Sequence, residues 1–259
     1  MKRIIFILAL SSIGLLTGCA GSGTGSKAKN TKEALQIEKL SFSNSTHLKE
    51  GSDYVYEINM EIQWPTAGVS NMALEKIQRG ITALQFGEDN ETTDINQAVD
   101  AYEKMRADIY LEERKLVDKL EDWGFMLNWQ EKVNGSFLPE YNGMISYINY
   151  RWEYFGGAYG NAEKTAMIFS LKSGDIITEE DLFKPGYQPE LTRVLRQNLA
   201  RTFDEQDLFW GIEDVDLSEC YYISSEGITY IYQTDEISSS AVGIIEVTIP
   251  WEDIKDILK

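Results

Sequence analysis

Residues 53–64 alternate between polar and apolar side chains, and this pattern leaves the segment few ways to fold. One face of the segment is entirely apolar or aromatic, with Tyr54, Tyr56, Ile58, Met60, Ile62 and Trp64. The other face is polar except at Val55, and Pro65 follows the last aromatic residue. A period of two is typical of a strand with one buried face, and a proline ends such a strand. We therefore predict an antiparallel sheet that covers a hydrophobic core.

Helical and strand-like segments occur in groups along the rest of the chain. Apolar residues recur at helical spacing over 69–86, 94–123 and 190–203. Period two returns elsewhere, with predicted strands at 34–42, 125–133, 142–154, 162–171, 220–224, 228–233 and 243–249. Helices that lie between groups of strands, without alternation of single strands and helices, indicate an α+β fold. We expect antiparallel sheets with the helices packed on one side.

The N-terminal residues resemble a bacterial export signal that ends in a lipid-attachment sequence. Two basic residues at positions 2 and 3 precede an apolar stretch shorter than the ~20 residues of a membrane span. Residues 16–19, Leu-Thr-Gly-Cys, are similar to the lipobox of bacterial lipoproteins. The resemblance implies a signal peptide over 1–18 and a membrane-anchoring lipid on Cys19. An ordinary secreted protein cut near Ala20 is the alternative.

The residues after Cys19 fit such an anchor. Residues 20–26 are Gly, Ser, Ala and Thr only, which is the composition of a flexible linker. We predict a tether over 19–33 that holds the folded body away from a membrane. The expected location is the bacterial cell envelope, with the body facing the periplasm or the cell surface.

The balance of charged residues excludes one large class of function. Lys and Arg number 24 against 42 Asp and Glu, and the net charge is −18 at pH 7. A nucleic-acid binder needs a surplus of basic side chains to neutralise phosphates, so we exclude nucleic acid as a partner. The chain has one histidine, His47, although imidazole is common in metal and acid–base sites. We predict no catalytic residue, no metal site and no cofactor.

The second cysteine, Cys220, has no partner in the chain if Cys19 carries lipid. It begins an apolar, strand-like run, and no basic residue lies beside it in the sequence to activate its thiol. We expect Cys220 to pack in the core of a C-terminal strand rather than to act as a nucleophile.

Three stretches of the second half resemble a known pair of domains. They are residues 154–161 (YFGGAYGN), 169–183 (FSLKSGD running into DLF) and 227–250 (GITY, then EI, then GIIEVTIP). In this order and spacing they are similar to the domain of unknown function 3298 with its companion 4163. The resemblance extends over about residues 50–258. It implies a 4163-like N-terminal α+β region over 34–155 and a 3298-like C-terminal α+β domain over 156–259.

This pair of domains forms the lysozyme-binding extracellular part of RsiV-type anti-sigma factors. It also precedes the catalytic domain of PdaC-type peptidoglycan deacetylases. Two positions depart from the family pattern: Tyr159 replaces a usual histidine, and Asp235 replaces a common tyrosine. A role that needs the histidine therefore does not carry over.

Two features are candidates for ligand contact. The corner formed by Gly156, Gly157, Tyr159 and Gly160 is either a backbone turn between strands or a binding loop. In the strand over 142–154, Tyr150, Trp152 and Tyr154 share one face with Met144 and Ile148. We expect this face to pack against the long helix, with stacking on sugar rings as the alternative.

These observations favour a lipid-anchored envelope module that binds or senses a partner. The expected partner is a cationic protein or a glycan, and the resemblance adds lysozyme to the list. The alternatives are a carboxylate-dependent enzyme acting on peptidoglycan or another glycan, and a structural envelope lipoprotein.

Overall fold

A six-stranded sheet organises the first two thirds of the chain. The computed structural model describes residues 6–7, 34–112 and 127–259. The sheet has the order β1-β2-β3-β4-β5-β6. Its strands are β1 (Phe6–Ile7), β2 (Gln36–His47), β3 (Val55–Ala67), β4 (Trp129–Phe137), β5 (Met144–Tyr154) and β6 (Asn161–Ser170).

Neighbouring strands of this sheet are antiparallel except at one place. β3 and β4 are parallel, with Ile58 opposite Glu131 and Met60 opposite Val133. The chain between them contains α1 (Asn71–Phe86) and α2 (Ile95–Glu112), and a parallel pair requires such a crossover. The predicted α+β class is confirmed, and the parallel pair is the departure from a purely antiparallel sheet.

Both helices pack on one face of the sheet and complete the first core. Ser70 caps α1 by accepting a hydrogen bond from the Ala73 amide, and Gly87, with φ of 90°, ends the helix. Ile77 and Val99 from the two helices are fully buried in the cluster that contains the predicted apolar face of β3. The alternation over 53–64 therefore predicted the buried side of this strand correctly.

The prediction for the second helix is only partly correct. Ile95 and Tyr102 are buried as expected, but Met105 and Ile109 are exposed by 43% and 46%. The continuation of this helix, predicted to 123, and the start of the next strand, predicted at 125, lie outside the described residues.

A three-stranded antiparallel sheet with its own core forms the rest of the protein. Its order is β7-β8-β9, from Tyr221–Ile223, Gly227–Tyr232 and Ile245–Pro250. Every residue of the central strand β8 is buried. The short helix α3 (Glu179–Leu182) precedes α4 (Gln188–Thr202), which packs against β9. Short 3-10 helices occupy Glu88–Asn90, Glu205–Asp207, Ile212–Asp214 and Trp251–Ile257.

One buried side chain joins the two sheets. The Ser146 hydroxyl in β5 donates to the Ile223 carbonyl oxygen at 2.8 Å and accepts from the Ile223 amide at 3.0 Å. Because β6 belongs to the larger sheet, the change from one sheet to the other falls after Ser170 and not between residues 155 and 156.

The residues predicted to form an export signal and a tether are almost entirely outside the described residues. Phe6 and Ile7 are the exception, and their backbones pair with Ser41 and Leu40 at the edge of β2. Cys19 and the tether over 19–33 are not among the described residues. In the part of the chain that the structure describes, no helix is both long and apolar enough to cross a membrane.

Candidate functional site

A buried carboxylate, Glu131, lies between the sheet and the two helices. Its side chain is fully buried and sits on the helix-facing side of β4. Oε1 accepts from the Tyr102 hydroxyl at 2.5 Å and from Arg151 Nη1 at 2.9 Å. Oε2 accepts from the Tyr56 hydroxyl at 2.7 Å and from Arg106 Nε at 3.1 Å. Four donors therefore occupy the acceptor sites of the Glu131 carboxylate.

The charges around Glu131 balance within the cluster. Glu153 lies 3.5 Å from Arg106 Nη2 and 3.6 Å from Arg151 Nη1, so two carboxylates face two guanidinium groups. Burial raises the pKa of the Glu153 carboxyl, nearby Glu131 raises it further, and the two arginines oppose both effects. Burial also raises the pKa of Tyr56 well above the usual tyrosine value, which keeps its hydroxyl as a donor. The arrangement ties β3, β4, β5 and α2 together.

A second carboxylate, Glu179, is half-buried beside the smaller core and also accepts hydrogen bonds from tyrosines. Its two oxygens accept from the Tyr187 hydroxyl at 2.7 Å and from the Tyr230 hydroxyl at 2.5 Å. Its backbone amide donates to the Tyr221 hydroxyl at 2.9 Å. Burial raises the pKa of Tyr221 to about 12, and the Glu179 charge adds to the shift. This cluster positions the start of α3 against β7 and β8.

The acidic runs of the C-terminal half serve as caps and surface ion pairs. Asp181 accepts from the Thr178 amide in a capping box, and Asp204 caps the 3-10 helix that follows it. Asp216 pairs with Arg196 at 3.1 Å. Within the described ranges, no three His, Cys, Asp or Glu side chains come together in a way that could hold a metal ion. His47 ends β2, with Nδ1 3.1 Å from the Ser52 carbonyl oxygen.

The glycine corner connects β5 to β6. Gly156 and Gly157 have φ of 84° and 102°, values that favour glycine, and the Tyr154 hydroxyl donates to the Gly157 carbonyl at 2.9 Å. A Cβ at Gly160 would lie 2.5 Å from the Trp152 ring. Backbone conformation at Gly156 and Gly157, and lack of space at Gly160, therefore explain why these positions are glycine. Tyr159, in contrast, is 88% exposed and free to contact a ligand.

Tyr150, Trp152 and Tyr154 of β5 do not face the helices, so the prediction that they pack against the long helix is wrong. Tyr147, on the other side of the strand, does face them and accepts a hydrogen bond from Gln85 of α1. Arg151 reaches Tyr102 of α2 and the Gln85 carbonyl of α1, which places the odd-numbered residues of β5 on the helix side. Successive side chains alternate across a strand, so Tyr150, Trp152 and Tyr154 lie on the opposite face. Tyr150 is 37% exposed there.

The strand register places Tyr150 and Trp152 beside polar residues of three other strands, on a surface that we call the open face. We define the open face by two rows that cross β2, β3, β4 and β5. The rows are Ser43-Asn59-Lys132-Trp152 and Ser41-Glu61-Asn134-Tyr150. A groove of about 490 Å³ runs over the first three strands of both rows, and an adjoining one of about 400 Å³ extends it towards Lys39, Gln63 and Ser136.

Cys220 precedes β7 and is half-buried. Its sulfur lies 3.5 Å from the Lys164 carbonyl oxygen. Burial raises the pKa of the thiol to about 11, and the charges of Glu236 and Glu163 add to the shift. The thiolate is therefore scarce at neutral pH, which argues against a nucleophilic role.

Comparison with known proteins finds a family match in the C-terminal part and a similar fold over most of the chain. Residues 180–252 match the model of a family described as a protein of unknown function, DUF3298. These residues form a DUF3298 domain. The DUF3298 domain includes α4, the three-stranded sheet and the last residues of the Glu179–Leu182 helix. Among curated proteins, none matches this chain in sequence.

Two solved structures extend the likeness beyond the DUF3298 domain. A DUF3298 family member from Bacteroides fragilis is 20% identical and superposes with a TM-score of 0.77, covering 88% of this chain and 95% of its own. A DUF3298 family protein from Pseudomonas aeruginosa is 16% identical with a TM-score of 0.57, covering 88% of this chain and 96% of its own. The fold of this chain, including its larger sheet, is thus similar to the folds of these two solved proteins.

Sequence reasoning singled out Tyr150 and Trp152 but neither the Glu131 cluster nor the polar residues of the open face. One signal for Glu131 was present, because it shares one side of β4 with Trp129 and Val133. A carboxylate on the apolar side of a strand requires buried partners. No local pattern indicates the rows of the open face, since they depend on the register of four strands.

Proposed function

We propose that this protein is a lipid-anchored binding module of the bacterial cell envelope. The observation that supports this proposal is the hydrogen bonding of two carboxylates within the fold, the buried Glu131 and the half-buried Glu179. Glu131 accepts four hydrogen bonds from tyrosines and arginines, and Glu179 accepts two from tyrosines. Because these carboxylates stabilise the fold, we assign partner binding to the exposed surfaces. The resemblance to RsiV-type ectodomains points in the same direction.

The anchor is tested by labelling cells with a radioactive fatty acid. Cys19→Ala is expected to abolish labelling of this protein, because the acyl chains are attached at that residue. Cys220→Ala is the matched control and should keep the label, since its half-buried thiol carries no lipid. Unchanged labelling of the Cys19→Ala variant would contradict the anchor.

The partner is expected to be cationic or glycan-associated. A net charge of −18 attracts a basic protein over long range and accelerates its encounter with this surface. A basic lysozyme is the partner that the resemblance supports.

Titration of residues 27–259 with a basic lysozyme tests this partner. Saturable binding is expected to persist at about 0.15 M salt, where charges more than ~8 Å apart are largely screened. An equally basic, unrelated protein is the control and should bind weakly. Equal binding to both proteins that disappears with salt would reveal only nonspecific attraction and would count against lysozyme as the partner.

A further inference from the structure

We propose that the open face is a binding site for a glycan chain. Tyr150 and Trp152 would stack against sugar rings, and Lys132 and Asn134 would hydrogen-bond to sugar hydroxyl or amide groups. This inference rests on the binding function proposed above and names a ligand class and a surface for it.

The aromatic residues are the first observation. Tyr150, Trp152 and Tyr154 follow one another on the same side of β5, about 6.8 Å apart along the strand. The Trp152 and Tyr154 rings are nearly parallel, at 11°, with centroids 6.5 Å apart. Tyr150 is exposed and Trp152 is half-buried. Aromatic rings with an apolar face and a polar edge suit ligands that are partly apolar and partly wet.

The polar groups beside the rings are the second observation. Asn134 lies next to Tyr150 in its row, is exposed, and makes no side-chain hydrogen bond to any residue that the structure describes. Lys132 is exposed, with Nζ 5.3 Å from the Trp152 ring centroid. Ser43 donates to Asn59 Oδ1 at 2.8 Å on the next strands of the row. An uncommitted amide at Asn134 and an ammonium group over the Trp152 ring are thus held at fixed positions on a sheet.

The charge of the groove is the third observation. Its two parts are lined by Lys39 and Lys132 and by one acid, Glu61, whereas the whole chain carries −18. A cationic protein would be attracted more strongly to the acidic surfaces elsewhere. A ligand rich in hydroxyl and amide groups suits this face better. The two adjoining grooves of about 490 and 400 Å³ offer room for several sugar units.

Calorimetric titration of residues 27–259 with two soluble oligosaccharides tests the proposal. The probes are the β-1,4-linked hexamer of N-acetylglucosamine and the corresponding hexamer of glucose. At least one is expected to bind. Trp152→Ala should weaken that binding about tenfold through lost ring contact, and Asn134→Ala about fivefold through a lost hydrogen bond.

Trp210→Ala is the matched control, because Trp210 is 48% exposed on a loop of the DUF3298 domain. It should bind like the wild type. Trp152 contacts the glycine corner and its loss can disturb the hairpin. The Asn134 side chain makes no hydrogen bond to a described residue, so Asn134→Ala reports on the site in an intact fold.

Failure of both hexamers to bind would overturn the proposal, as would binding that Trp152→Ala and Asn134→Ala leave unchanged. If lysozyme binding persists in that case, the envelope-binding function stands and only the glycan site is lost. If a hexamer binds and lysozyme does not, the glycan site is supported and lysozyme is ruled out as the partner.

Discussion

Glu131→Gln is expected to lower the free energy of unfolding by about 3 to 5 kcal/mol, because it leaves two buried arginines with one carboxylate between them. Arg106 and Arg151 have side chains only 17% and 12% exposed, so water cannot replace the lost charge. The glutamine amide would also present two donors where Glu131 accepts four hydrogen bonds. Urea denaturation measured at neutral pH gives the difference.

Asp175→Asn is the control for Glu131→Gln. Asp175 pairs with Lys76 at 2.5 Å, but both side chains are about half exposed, at 57% and 45%. An exposed ion pair adds little to stability, so this variant should unfold close to the wild type. Similar denaturation midpoints for the two variants would show that Glu131 does not hold β3, β4, β5 and α2 together.

Gly227→Ala is expected to destabilise the DUF3298 domain by about 3 kcal/mol, because a methyl group has no space at this position. A Cβ there would lie 2.0 Å from the Ile249 carbonyl oxygen and 3.0 Å from Pro250 Cα. Both atoms belong to the backbone of β9, which cannot withdraw without breaking its pairing with β8. The loss should appear as a lower urea midpoint.

Gly157→Ala is the comparison for Gly227→Ala, because it measures the cost of backbone conformation without a steric clash. A Cβ at Gly157 would meet nothing within 4 Å, so only its φ of 102° opposes alanine. The expected cost is about 1 kcal/mol. If Gly227→Ala were no more destabilising than Gly157→Ala, the close approach of β8 and β9 would not be a constraint.

The sequence by itself determined those features that depend on neighbouring residues. The alternation ending at Trp64 predicted both β3 and its buried face, because one side of that strand is apolar and the other polar. The predicted end at Pro65 is wrong, since β3 continues through Pro65 to Ala67 and stays paired with β2. The helix predicted over 69–86 is found over 71–86, where Ser70 caps one end and Gly87 ends the other. The grouping of these elements was sufficient for the α+β class.

Tertiary structure alone decided which side of β5 packs against the helices and which side is left exposed. Both sides of this strand carry large residues, so alternation identifies two faces without saying which is inside. Arg151 fixes which side of β5 faces the helices, because a guanidinium is buried only where a carboxylate and other acceptors can bind it. Glu131 and the Gln85 carbonyl are these acceptors, and both lie on the helix side. Tyr150 and Trp152 are left outside, beside polar residues from three other strands. Those strands are distant in sequence, and only their hydrogen-bonded register brings the rows of the open face together.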